Sequence, residues 1–179
     1  MLCAVGMLAL LRGSELTLLS VNDILEADGL CVRVSHSKTD QLHRGWVCNL
    51  TYVAGLMEVD DCWVRAIRDY WEQVRAEYPP KAPLFGAIQR TPGRERRMLS
   101  VLDVGGAVKR VAAHGGAQLL DGDFLAAHSL RRGGAVELSL HGVQSEDLMT
   151  LGRWKSASSL RTYLTDLMPR LAGVSVKSR

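Results

Sequence analysis

Only residues 21–53 break an otherwise helical rhythm in this 179-residue sequence. Leu30–Ser35, read Leu-Cys-Val-Arg-Val-Ser, and Trp46–Val53 are rich in β-branched and aromatic side chains. They flank the polar turn Ser37–His43, so they predict an antiparallel hairpin with Lys38 at or near its tip. Elsewhere apolar residues recur at three- to four-residue spacing. The clearest case is Val59–Tyr78, where Val59, Trp63, Ile67, Tyr70, Trp71 and Val74 share one face with charges between them. The expected fold is therefore α+β: mostly α-helical, with a small antiparallel sheet near the N-terminus.

The remaining helices follow from start and stop signals. Met1–Leu11 reads as a buried helix, and Ser14 as the N-cap of Glu15–Leu19. The chain turns at Ala27-Asp28-Gly29, and Pro79–Pro83 ends the long amphipathic helix. Leu99–Ala113 reads as a helix weakened by Gly105-Gly106, and Leu125–Leu140 as one broken or closely packed at Gly133-Gly134. Ser145–Leu151, capped by Ser145, and Ser156–Thr165 complete the set. No repeat or low-complexity linker appears, and the length suits one domain, residues 1–179.

Composition narrows the class. With 47% hydrophobic and 23% charged residues, the chain is neither disordered nor collagen-like. No run of about 18 apolar residues occurs, so no membrane partner is expected. Cys3, Cys31, Cys48 and Cys62 form no CxxC pair and have no His at zinc spacing, which favours a reducing, intracellular setting. The net charge is only +3, but 17 of the 22 cations are arginine, the side chain that grips phosphate with a planar fork. A GC-rich genome would give the same bias.

Four short motifs carry the chemistry. Arg12 and Glu15 stand one turn apart in Leu10-Leu11-Arg12-Gly13-Ser14-Glu15-Leu16. Lys38 sits in Ser37-Lys38-Thr39. His128 and Arg131, at i and i+3, share a helix face in His128-Ser129-Leu130-Arg131. Leu151-Gly152-Arg153-Trp154 is followed nine residues later by Tyr163. Each has a bland reading: a structural ion pair, a hairpin lysine, a surface pair, a half-buried tyrosine.

Taken together and in order, Arg12, Lys38, His128, Arg131, Trp154 and Tyr163 resemble the catalytic domain of the tyrosine recombinases, the phage-integrase family. That family reads Arg…Lys…His-x-x-Arg…(His or Trp)…Tyr, and the likeness spans positions 10–163. It implies site-specific DNA strand cleavage and rejoining through a 3′-phosphotyrosine intermediate, on double-stranded DNA. It further implies a homotetramer of full-length chains on that DNA, with no metal and no cofactor. In a prokaryote the setting would be the cytoplasm and nucleoid, and in a eukaryote the nucleus. Full-length relatives carry an N-terminal domain that closes around the DNA, and the expectation is that this chain is the catalytic domain without it. A type IB topoisomerase and a non-catalytic DNA-binding remnant of a mobile element are the alternatives.

The resemblance gives each residue a role with a physical reason. A tyrosine phenolate can hold the phosphodiester energy in a covalent link, but a free tyrosine has a pKa of about 10 and its proton must be removed. Tyr163 would be the nucleophile and His128 would assist that proton transfer. Arg12 and Arg131 would clamp the charge that builds on the non-bridging oxygens. Trp154 would add one indole N–H bond. Lys38 would protonate the departing 5′ oxygen, and Glu15 would orient the helix that carries Arg12.

Overall fold

The computed structural model describes residues 1–35, 45–58, 61–87, 96–116 and 124–165. Lys38, Arg94 and the tail from residue 166 onward lie outside these residues. The sequence expects one helix over Met1–Leu11, but α1 covers only Leu2–Leu8. Leu10 takes a left-handed conformation, φ 49°, and it and Leu11 are fully buried. This turn drops the chain into the core and re-aims it. α2 (Gly13–Leu18) then starts from an extended Arg12, the true N-cap in place of the expected Ser14.

A 3₁₀ turn at Val21–Asp23 leads into β1 (Ile24–Ala27), a strand that the sequence reading lacks. Gly29, at φ 112°, closes the turn into β2 (Gly29–Val34), pairing Ala27 with Gly29 and Ile24 with Val32. Only glycine adopts that backbone conformation readily. β3 (Trp46–Asn49) pairs with β2, Val34 opposite Trp46, giving the antiparallel order β1-β2-β3. The strand expected to run to Val53 stops at Asn49, whose side chain accepts the Tyr52 N–H at 2.9 Å and so caps α3 (Leu50–Leu56).

α4 (Cys62–Glu77) buries Val64, Ile67, Trp71 and Val74, and the Trp71 indole donates to the Val21 carbonyl at 3.0 Å. β4 (Gly86–Ala87) and β5 (Arg97–Met98) form a second, two-stranded sheet beyond the one expected. α5 (Val101–His114) runs through Gly105-Gly106 without a break, started by the Ser100–Asp103 capping box. α6 (His128–Leu140), α7 (Ser145–Gly152) and α8 (Ala157–Thr165) follow. The N-cap of α7 is Gln144, one residue before the expected Ser145. No helix among the described residues is long and apolar enough to cross a membrane.

α6 is unbroken, so Gly133-Gly134 marks close packing rather than a kink. A Cβ at Gly134 would collide with the Met7 carbonyl oxygen, and one at Gly6 would lie 2.7 Å from Leu130 Cδ1. α1 and α6 therefore cross almost backbone to backbone, and this crossing sets where the start of α6 lies relative to Arg12. Gly134→Ala is expected to destabilise the fold by about 3 kcal/mol, because the obstacle is main chain and cannot swing aside. In a thermal melt the midpoint should fall by roughly 5–10 °C.

Candidate active site

Three connections and one helix bring the motif residues to one place: the α1–α2 link, the start of α6, the end of α7, and α8. At the start of α6, the Ser129 hydroxyl accepts the Ala126 N–H at 3.1 Å and fixes the first turn. His128 therefore faces outward to α8, where its ring centroid lies 5.0 Å from that of Tyr163. Trp154 meets Tyr163 edge-on at 5.2 Å. The Arg132 guanidinium carbon is 5.7 Å from the Tyr163 ring centroid. Burial lowers the His128 pKa from its ordinary value, and the nearby Arg131, Arg132 and Arg12 charges lower it further. Its imidazole is thus neutral at neutral pH and able to accept a proton.

Arg131 points the other way, into the protein. It is 0% exposed, its Nη1 donates to the Leu10 carbonyl at 2.5 Å, and its Nη2 donates to the Gly152 carbonyl. Its guanidinium lies 4.1 Å from the centroid of the Trp154 ring. Burial brings its pKa down to about 10, helped by Arg12 and Arg153 and opposed by Glu15 and Tyr163, so it stays charged at neutral pH. The sequence expects Arg131 to present a fork to the substrate. Instead both terminal nitrogens hold main-chain carbonyls, tying α6 to the α1–α2 link and to the end of α7.

Beside Tyr163 opens a cleft of about 410 Å³, lined by Arg12, Arg153, Trp154, Lys155 and Tyr163, with the hydroxyl residues Ser159 and Thr162 on its α8 wall. Arg12 is the expected cation here. Its Nη1 pairs with Glu15 Oε1 at 2.8 Å, and its backbone N–H donates to Glu15 Oε2 at 2.9 Å. Glu15 is 2% exposed, so this carboxylate needs cationic partners. These bonds join Glu15 to Arg12 at the start of α2.

Arg153 was quoted in the sequence only as part of the Leu-Gly-Arg-Trp box. Its Nη2 donates to Glu15 Oε2 at 2.8 Å, and its guanidinium stacks 4.4 Å over the Trp46 ring at the start of β3. It caps α7 at φ 58°, ψ 37°, a left-handed conformation in which glycine is usual and a larger residue costs about 1–2 kcal/mol. Gly152 beside it is bare because a Cβ there would collide with the Trp154 ring. A left-handed arginine next to a glycine is the one sequence-level hint, and it becomes legible only once the helix end is known. Lys155, next in the chain after Trp154, also lines the cleft. Among the described residues, no group of three or more His, Cys, Asp or Glu side chains could hold a metal ion.

No family model matches the chain. Over 160 residues, 89% of the chain, it is 28% identical to an integrase/recombinase xerD homolog of Selenomonas ruminantium, of which it spans 44%. The solved structure of XerA recombinase superposes with a TM-score of 0.67 at 16% identity, covering 99% of this chain and 57% of that one. XerH site-specific recombinase bound to a palindromic difH substrate, in a post-cleavage complex, superposes with a TM-score of 0.65 at 18% identity, covering 97% of this chain and 44% of that one. The chain thus spans about half the length of the relatives it matches. In fold the chain is therefore like these recombinases, and its sequence likeness to the xerD homolog extends over 89% of its length.

Proposed function

We propose that the chain cuts and rejoins double-stranded DNA at specific sites through a tyrosine–phosphate link, acting as a DNA strand transferase. The observation that carries this reading is the placement of Tyr163. Its ring contacts both His128 and Trp154, and it lines a cleft together with Arg12, Arg153 and Lys155. A phosphodiester seated there would have cations on one side and a phenol on the other.

The step balances as follows. The Tyr163 oxygen bonds to phosphorus, the bond to the 5′ oxygen breaks, and the phenolic proton passes to the neutral His128. Charge growing on the non-bridging oxygens is met by Arg12 at the cleft, with the buried Arg131 charge behind Trp154. Lys38, carried over from the family pattern, supplies the proton to the leaving 5′ oxygen. Attack by that oxygen or by another strand's 5′ hydroxyl reverses the step, so no external energy source enters. Each cut strand needs one tyrosine, so exchange between two duplexes uses four copies. DNA enclosure and that assembly are proposed to involve segments corresponding to the remaining half of the longer relatives.

The test is a suicide substrate: duplexes from the DNA flanking the coding sequence, nicked so that the short 5′ fragment diffuses away and rejoining fails. A covalent protein–DNA adduct is expected. Failure of every flanking duplex to give one would sink the reading. The adduct-forming rate should also fall in acid as His128 takes up a proton. Because the His128 pKa is lowered, that loss is expected below pH 6.5, the ordinary histidine value, with a plateau at pH 7 and above. His128→Gln should remove this acid limb.

A further inference from the structure

Among the described residues, the cleft beside Tyr163 is lined by three cations, Arg12, Arg153 and Lys155, and by no carboxylate. Arg12 and Arg153 are each bonded to Glu15. Lys155 differs from both. Its side chain is exposed, and among the described residues its ammonium takes part in no hydrogen bond or ion pair. Its main chain, in contrast, is held from both sides. Before it, Trp154 is buried, and the Trp154 N–H donates to the Met149 carbonyl at 2.9 Å. After it, the Ser156 hydroxyl accepts the Ser159 N–H at 3.3 Å and the Ser156 carbonyl accepts the Leu160 N–H at 3.4 Å. Lys155 is thus fixed to the start of α8, whose Ser159, Thr162 and Tyr163 share one helix face in the same cleft. Stabilising α8 does not account for the residue. A cation ahead of a helix's first turn opposes the helix dipole, and no acidic residue stands in that turn to pair with it.

We propose that Lys155 is a DNA-binding residue for the strand cleavage proposed above: its ammonium grips a backbone phosphate of the strand in the cleft and sets that strand against Tyr163. A lysine is a compact point charge on a flexible stem, so it follows a phosphate without demanding one geometry. Its charge is exposed, so the grip weakens as salt screens it. The contact is made alike before and during attack. It therefore raises affinity and leaves the rate of the saturated complex nearly unchanged. Grip and nucleophile ride on one helix, so DNA held by Lys155 is held in place relative to Tyr163.

The inference rests on the proposed function, and the experiment separates the two. Binding to plain duplex DNA is titrated across salt for the wild type, K155M, K155R and K81M, with thermal melts reporting folding. K81M removes the same charge at an exposed position outside the cleft. In K155M the slope of log affinity against log salt should fall by about one, as one phosphate contact is lost, with binding about three- to tenfold weaker at moderate salt. K155R should keep the wild-type slope, since a guanidinium also holds phosphate. Single-turnover cleavage of the suicide substrate is then measured against DNA concentration. The half-saturating concentration should rise in K155M in step with the weaker binding, while the saturated rate stays within about threefold of wild type. If K155M melts well below the wild type, K155Q takes its place. An unchanged slope in K155M overturns the proposal, as does an equal fall in K81M, which would mark net charge alone as the cause. So does a K155R that binds no better than K155M. A saturated rate lowered tenfold or more also overturns it, because Lys155 would then act on the transition state. A wild type that forms no adduct defeats the proposed function, and the salt slopes then decide on Lys155 by themselves.

Discussion

Tyr163→Phe is expected to abolish the covalent protein–DNA adduct on a nicked duplex while leaving fold and DNA affinity intact. The change removes one oxygen from a partly buried ring held by His128 at 5.0 Å and Trp154 at 5.2 Å. Both contacts involve the ring, so phenylalanine keeps them, and the melting midpoint should move by no more than a degree or two. The nucleophile, in contrast, vanishes outright, and no neighbouring group replaces it. Ser159 and Thr162 also line the cleft, but the Ser159 hydroxyl bonds the Ser156 hydroxyl at 2.8 Å and the Thr162 hydroxyl donates to the Ser158 carbonyl at 3.1 Å. The adduct should fall below detection in a denaturing gel. An adduct of undiminished yield, mapped to another residue by peptide mass, would move the nucleophile elsewhere and undo the site.

Arg131→Ala should be the most damaging substitution for stability. Truncation strands the Gly152 carbonyl in the interior, leaves the Leu10 carbonyl only a longer bond from Arg153 at 3.4 Å, and opens a void under Trp154. Each stranded buried group costs about 1–3 kcal/mol. With the void added, about 4–6 kcal/mol is a fair sum, against a total stability of about 5–15 kcal/mol for a domain. The variant should therefore be largely unfolded near 37 °C, read as loss of the cooperative urea transition. Arg131→Lys keeps the charge but cannot hold both carbonyls, so it should fold with a lowered urea midpoint. The same variant should cleave DNA at least tenfold more slowly, because the α1–α2 link that aims Arg12 loses its anchor. An Arg131→Ala protein as stable as wild type would show that the two carbonyl bonds contribute nothing.

Particular elements show what could be read without coordinates. The long helix α4 was legible because Trp63, Ile67, Tyr70, Trp71 and Val74 recur at helical spacing over about three turns. β1 was not, because Ile24–Ala27 is four residues long and has a strand's shape only when paired with β2. The start of α3 hid inside an apparent strand, since Leu50–Val53 suits either state and Asn49 decides by capping. Gly133-Gly134 looks the same in a kinked helix and in a tightly crossed one, and only the Met7 carbonyl opposite tells them apart. The helix α1 was overread because nothing in Leu10 announces a left-handed backbone.

The same division runs through the site. Residue identities and their order along the chain carried the resemblance: a histidine one turn from an arginine, an arginine and a glutamate three apart, and a tryptophan nine before a tyrosine. Those are local or ordinal facts, and covalent order preserves them. The tertiary structure decided which arginine faces the cleft. Arg131 spends two nitrogens on main-chain carbonyls, one of them 121 residues away, while Arg153 reaches a carboxylate 138 residues away and lines the cleft. A side chain's role is set by its burial and by what stands opposite it. When that partner comes from the far end of the chain, its position depends on the packing of every element between, here on a near-contact crossing of α1 and α6 that two glycines permit.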